Sequence, residues 1–279
     1  MTTIADLIAR FEDWAPLTWQ EKWDNCGWQV DPGVLDAPAH ILVCLTPTLA
    51  VMKEAIALNE AGTPINLIFA HHPLIFSPLK SILKGQAVGE VARLGIQHTI
   101  GVYTAHTNFD QVAEGTADVL AQMLQLEAVE PVVPTQPGIG YGRVGNLPKT
   151  RTLQQLLTYI QAVLKPPDLI YSPEADLRHS IQRLAVLGGS GASFLDDVAK
   201  TGAQAYLTSD CKFHQFQEAR DRGLILIDAG HYATERPACM RLVDKLKQLG
   251  ADGAQLSDRD EDFRQFLGTA KELGAEGGG

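Results

Sequence analysis

Short, mostly apolar runs recur along this sequence, and stretches with helical periodicity separate them. Ile41–Leu45, Ile65–Ala70, Ile100–Tyr103, Leu184–Leu187, Ala205–Thr208 and Leu224–Ile227 have the length and composition of strands buried on both faces. Ala50–Leu58, Ala87–Leu94, Thr116–Leu124, Phe194–Lys200 and Cys211–Arg220 read as the helices that follow such strands, the first of them opened by Thr46-Pro47-Thr48. Parallel strands need crossover connections, and helices are the usual ones, so this alternation predicts α/β architecture with mixed, largely parallel sheets. An amphipathic helix is expected over residues 3–14, with Ile4, Leu7, Ile8 and Phe11 on one stripe. The segment Trp19–Val30 reads as an aromatic-rich loop. Further elements are expected at Arg143–Leu147, over Thr152–Leu164 and over Ala238–Leu249.

The run Pro131–Gly138, PVVPTQPG, interrupts the alternation and is the candidate domain boundary. Residues 1–130 with 222–265 are then expected as one discontinuous α/β domain, 131–221 as a second, and 266–279 as a disordered tail. A chain of 279 residues has room for two such cores. A net charge of −10 argues against a broad nucleic-acid face, which needs clustered Lys and Arg, but leaves room for a site that takes one nucleotide. The four cysteines, Cys26, Cys44, Cys211 and Cys239, show no Cys-x-x-Cys spacing and suit reduced thiols. The first residues lack a signal-peptide pattern, and no apolar run approaches a membrane span, so a soluble cytoplasmic protein is expected.

Chemistry-bearing residues stand where the apolar runs stop. His71-His72-Pro73 ends one run, His106 and Asp110 follow another, and His231 and Glu235 follow Leu224–Ile227 after Asp228-Ala229-Gly230. If a helix starts after Gly230, His231 and Glu235 share one face. Ligands in open α/β sheets gather outside the carboxyl ends of strands. Three strand ends thus offer imidazoles and carboxylates to a common crevice. The set exceeds what a tetrahedral structural zinc needs and suits two ions held side by side. Its mixed nitrogen and oxygen donors fit zinc, iron, manganese, cobalt or nickel.

WDNCGWQV at 23–30, HHPLIF at 71–76, YTAHTNFD at 103–110, GGSGAS at 188–193 and DAGHYATE at 228–235 resemble the signature blocks of the GTP cyclohydrolase 1 type 2 homolog family, the NGG-interacting-factor-like proteins. The resemblance implies a two-domain α/β fold with a dinuclear metal site in the crevice between domains, and a toroidal homohexamer. It implies His71, His72, Asp110, His231 and Glu235 as ligands of two divalent ions (zinc, iron or manganese), with Glu235 bridging and His106 close by. It further implies GTP ring opening by a metal-dependent hydrolase. The chain departs from the family pattern at Cys44-Leu45-Thr46, Ser209 and Gln215, and its length leaves no room for the inserted domain of longer members.

Other residues carry more than one reading. His106 serves as ligand, as orienter of a ligand or as proton carrier, and His214 is a second candidate for moving protons. Gly188–Gly191 either cradles a phosphate or makes a tight packing turn, and the missing Gly-Lys-Ser/Thr favours the turn. Lys212 and His214 either contact an anionic substrate or solvate their helix. No base is evident beside Cys211, which argues against a nucleophile there. Trp14, Trp19, Trp23 and Trp28 suit packing or a subunit interface better than base stacking. The functions in play are a two-metal hydrolase of a nucleotide-like substrate, a non-catalytic metal-binding hexamer acting as regulator, carrier or scaffold, and a two-metal phosphatase or phosphodiesterase.

Overall fold

The computed structural model describes residues 2–83, 85–172 and 177–266. The expected tail, from residue 267 onward, lies outside them. In chain order the first elements are α1 (Ile4–Trp14), β1 (Gly27–Val30), β2 (Ile41–Cys44), α2 (Leu49–Glu60), β3 (Leu67–Ala70), α3 (Ala87–His98), β4 (Gly101–Thr104), α4 (Thr107–Gln111) and α5 (Thr116–Met123). There follow β5 (Glu127–Glu130), β6 (Val133–Gln136), β7 (Ile139–Tyr141), β8 (Arg143–Thr152), α6 (Leu153–Leu164), β9 (Ile170–Tyr171) and β10 (Ser180–Val186). The last are α7 (Leu195–Lys200), β11 (Ala205–Thr208), α8 (Phe213–Asp221), β12 (Ile225–Asp228), α9 (His231–Gln248) and β13 (Gln255–Leu256).

Two compact units result: Met1–Val119 with Pro134–Tyr141 and Glu235–Asp260, and Leu120–Val133 with Gly142–Thr234 and Glu261–Gly279. The first unit holds a sheet of order β1-β4-β3-β2-β13, parallel except for β1 against β4. Every residue of β2 and β3 is fully buried, as their unbroken apolar composition requires. Thr3 caps α1 by accepting the Asp6 amide at 3.1 Å, and the stripe Ile4, Leu7, Ile8 and Phe11 packs inward. Phe11 meets Phe69 of β3 edge-on at 4.8 Å. The segment read as a loop at Trp19–Val30 ends in β1, a short edge strand paired antiparallel to β4 with a bulge between Trp28 and Val30. Its neighbouring glycine and aromatic residues hid an edge strand too short to show a period.

The second unit holds a mixed sheet of order β5-β8-β10-β11-β12-β9, whose β10-β11-β12 centre is parallel. Leu156, Ile160, Leu184, Leu207 and Ile227 form its core, and a capping box of Thr152 and Gln155 starts α6. Sequence grouping assigns residues 222–234 to the first domain. The strand β12 instead pairs with β11 over Ala205–Thr208 and belongs to this sheet. Helix α9 begins at His231 rather than Ala238. Pro237 removes one backbone donor, but the burial of Ala238, Cys239, Leu242 and Leu246 along one face carries the helix through it. No helix among the described residues is long and apolar enough to cross a membrane.

Candidate metal centre

His71 and His72 follow β3, and His106 with Asp110 follows the adjacent parallel strand β4, so register alone brings them together in the first unit. One ring nitrogen from each of His71, His72 and His106 lies within 4.8 Å of the others. Glu235, in the second turn of α9, meets the same group. Its Oε2 is 2.8 Å from His72 Nε2 and its Oε1 is 3.9 Å from His71 Nε2, while Asp110 Oδ1 is 3.6 Å from His71 Nε2. His71 is 1% exposed and Glu235 5%.

Each imidazole is held from its far side. His71 Nδ1 donates to the Ala105 carbonyl at 2.8 Å, an acceptor only, which leaves Nε2 as the reactive nitrogen of the neutral ring. His72 Nδ1 meets the Thr46 hydroxyl at 2.8 Å. His106 Nδ1 meets Asp24 Oδ1 at 2.8 Å, and His231 Nδ1 meets Asp210 Oδ2 at 2.6 Å. Partners of this kind fix tautomer and ring orientation in ligating histidines. Asp110 accepts from the Thr116 hydroxyl at 2.7 Å.

Charge at the centre is unbalanced. Burial alone would lower the pKa of His71, but the nearby Asp110 and Glu235 carboxylates outweigh it and raise it to about 9. Burial likewise pushes Asp110 above the usual carboxylate range, with His71 and His106 pulling the other way. Asp24 feels the same burial, yet its hydrogen bonds and attraction to His106 win and lower it. His71 Nε2 is nonetheless buried without a hydrogen-bond partner among the described residues. An orphaned nitrogen facing two carboxylates is a cation-shaped gap, and its nitrogen and oxygen donors fit a divalent ion.

Of the sequence-predicted residues, His71, His72, His106, Asp110 and Glu235 come together in the first unit. His231 stands one turn before Glu235 on α9, so both project from one helix face. His214 is exposed on the first turn of α8. The Gly188–Gly191 loop is a packing turn. Its Gly189 and Gly191 amides donate to Thr234 and Thr208, and a Cβ at Gly191 would lie 2.5 Å from Tyr206 Oη. The holders Asp24, Thr46 and Asp210 escape sequence reading. Asp24 is recognisable only as part of the Trp23–Val30 block, and Asp210 only as the acid before Cys211.

The Duf34/NIF3 (NGG1p interacting factor 3) family profile matches residues 2–257. A GTP cyclohydrolase 1 type 2 homolog from Nostoc sp. is 67% identical over 264 residues, 95% of this chain and 98% of that protein. One of the same name from Clostridium perfringens is 32% identical, over 87% of this chain and 90% of that protein. The fold is similar to that of a Bacillus cereus protein related to NIF3, with a TM-score of 0.86 at 21% identity, covering 95% of this chain and 99% of that one. With its family profile, its relatives and its fold in agreement, this chain belongs to the Duf34/NIF3 (NGG1p interacting factor 3) family.

Proposed function

We propose that the protein is a dinuclear metal-dependent hydrolase acting on a nucleotide-like substrate, with GTP ring opening as the first reaction to test. The observation that carries this reading is His71, whose buried Nε2 faces Asp110 and Glu235 without a hydrogen-bond partner among the described residues. Leaving a buried polar atom unsatisfied costs about 1–3 kcal/mol, which coordination of a cation removes. His71, His72, Asp110, His231 and Glu235 would hold two ions, zinc, iron or manganese. Such ions supply Lewis acidity and make water nucleophilic near neutral pH.

The chain's own contribution is orientation and proton handling. The Ala105 carbonyl, Thr46, Asp24 and Asp210 aim four imidazoles through their Nδ1 atoms. Because ionised Asp24 holds Nδ1–H, His106 keeps Nε2 for taking a proton from, or giving one to, a substrate at the centre. His214 is the second candidate carrier. The names of the Nostoc and Clostridium relatives support the choice of GTP.

A non-catalytic metal-binding role is the second reading. The arginine beside Glu235 favours it, because Arg236 is committed to Asp260 at 3.0 Å and to the Ser257 carbonyl at 3.1 Å rather than offered to a triphosphate. Purified protein loaded in turn with zinc, manganese and iron, then given GTP, separates the readings. Formate release supports ring opening, phosphate release supports a phosphatase, and no product with any metal supports the non-catalytic role.

A further inference from the structure

Two large aromatic side chains stand in the open beside the candidate metal centre. Trp23 is 58% exposed and Phe76 is 55% exposed, with ring centroids 6.0 Å apart and planes tilted by 56°. Trp23 also meets the His106 ring edge-on at 6.1 Å. The other tryptophans named with it behave differently. Trp14 packs on Phe11 and Phe109, and Trp28 packs edge-on against Tyr103 at 5.6 Å. A single exposed apolar residue is ordinary, but two touching rings against an imidazole of a candidate site are not.

Both rings are carried on segments that are tied down. Next to Trp23, Asp24 has no exposed side-chain surface and holds His106 Nδ1 at 2.8 Å and the Thr107 amide at 3.1 Å. The following Asn25 donates from Nδ2 to the Ile75 carbonyl at 2.7 Å, and the Ile75 amide donates to Gln29 Oε1 at 3.0 Å. The residue before Phe76 is thus bound to the segment that presents Trp23. Anchoring of this kind removes in advance the ordering cost that binding would otherwise incur.

We infer that Trp23 and Phe76 form a stacking platform for the nucleobase of the substrate, with the base held flat against Trp23 beside His106. Aromatic faces accept a base through its π surface and need no hydrogen-bond readout. The tilt between the rings gives a corner, so Trp23 supplies the stacking face and Phe76 a wall. The inference rests on the proposed action on a nucleotide-like substrate and names the group by which that substrate is recognised.

The test uses the full chain, metal-free and zinc-loaded, titrated with guanosine, adenosine and GTP by calorimetry and tryptophan fluorescence. Ribose 5-phosphate and tripolyphosphate serve as base-free controls. Base-containing probes are expected to bind and quench fluorescence. W23A should weaken them by about 5- to 150-fold, the value of one base–aromatic stack. W23F should recover most of the loss, F76A should show a smaller one, and the controls should not respond to either change. Trp23 is exposed and donates no ligand, so metal content should match that of the unsubstituted protein.

Failure of the unsubstituted protein to bind any base-containing probe at millimolar concentration overturns the inference. So does equal affinity in W23A, including the case where W23A instead lowers the particle mass in light scattering and marks a contact between copies. Trp23-dependent binding without formate or phosphate release sustains the platform and removes the hydrolase reading. Turnover with an unchanged KM in W23A removes the platform alone.

Discussion

The raised pKa of His71 ties metal affinity to pH in a way an ordinary histidine would not. In the metal-free protein Asp110 and Glu235 hold a proton on this ring up to about pH 9, against an ordinary value of 6.5. A metal ligand must give up that proton. At pH 7 the ring is two units below its pKa, so displacing the proton costs about 3 kcal/mol, or about a hundredfold in affinity. The apparent Kd for manganese should therefore tighten about tenfold per pH unit from 7 to 8 and level off near 9. Calorimetry at pH 7 in two buffers of different ionisation enthalpy should find about one proton released on account of this ring, and His71→Ala should abolish that share. The sign for stability is opposite. A raised pKa stabilises the metal-free fold fully below pH 6.5, and that contribution is lost as the pH rises through about 9. The melting temperature of metal-free protein should fall across that window, and that of metal-loaded protein should not fall with it. Manganese affinity that stays flat from pH 7 to 9, with no proton release, would refute the reasoning.

Asp210→Ala removes the acceptor at His231 Nδ1 and should weaken metal binding by about 10- to 100-fold, read by competition with a chromogenic chelator, with little change in circular dichroism. Leu184→Ala opens a cavity at a fully buried position of the second sheet and should cost about 2–5 kcal/mol in urea unfolding without altering metal content. The toroidal homohexamer implied by the family resemblance predicts a particle of six chains in multi-angle light scattering.

The candidate cluster was legible because its members stand close after strands. His71 and His72 close an unbroken apolar run, and parallel pairing of β3 with β4 brings His106 and Asp110 beside them. Their holders were not legible. Asp24 sits in an irregular segment with no period, and the Ala105 carbonyl that fixes His71 is backbone, invisible in residue identity. Strand existence could be read at Leu224–Ile227, but its partner could not. Hydrogen bonding to β11 is decided by tertiary packing, and nothing in an apolar run specifies which sheet it joins. Asp210 is a further case, since its left-handed φ of 54° is a conformation aspartate adopts only occasionally and residue identity alone does not announce. Pro237 misleads in the opposite direction, because a breaker in sequence is tolerated once one face of α9 is buried.

Metal counted per chain is the most direct test of the central claim that these imidazoles and carboxylates hold cations. Untagged protein is saturated with zinc or manganese, freed of excess by gel filtration and measured by inductively coupled plasma mass spectrometry beside His71→Ala and Glu235→Ala. The account predicts two ions per chain, with loss of at least one in each variant while the fold persists by circular dichroism. Fewer than one ion per chain under every metal, or a count that neither substitution lowers, would contradict it.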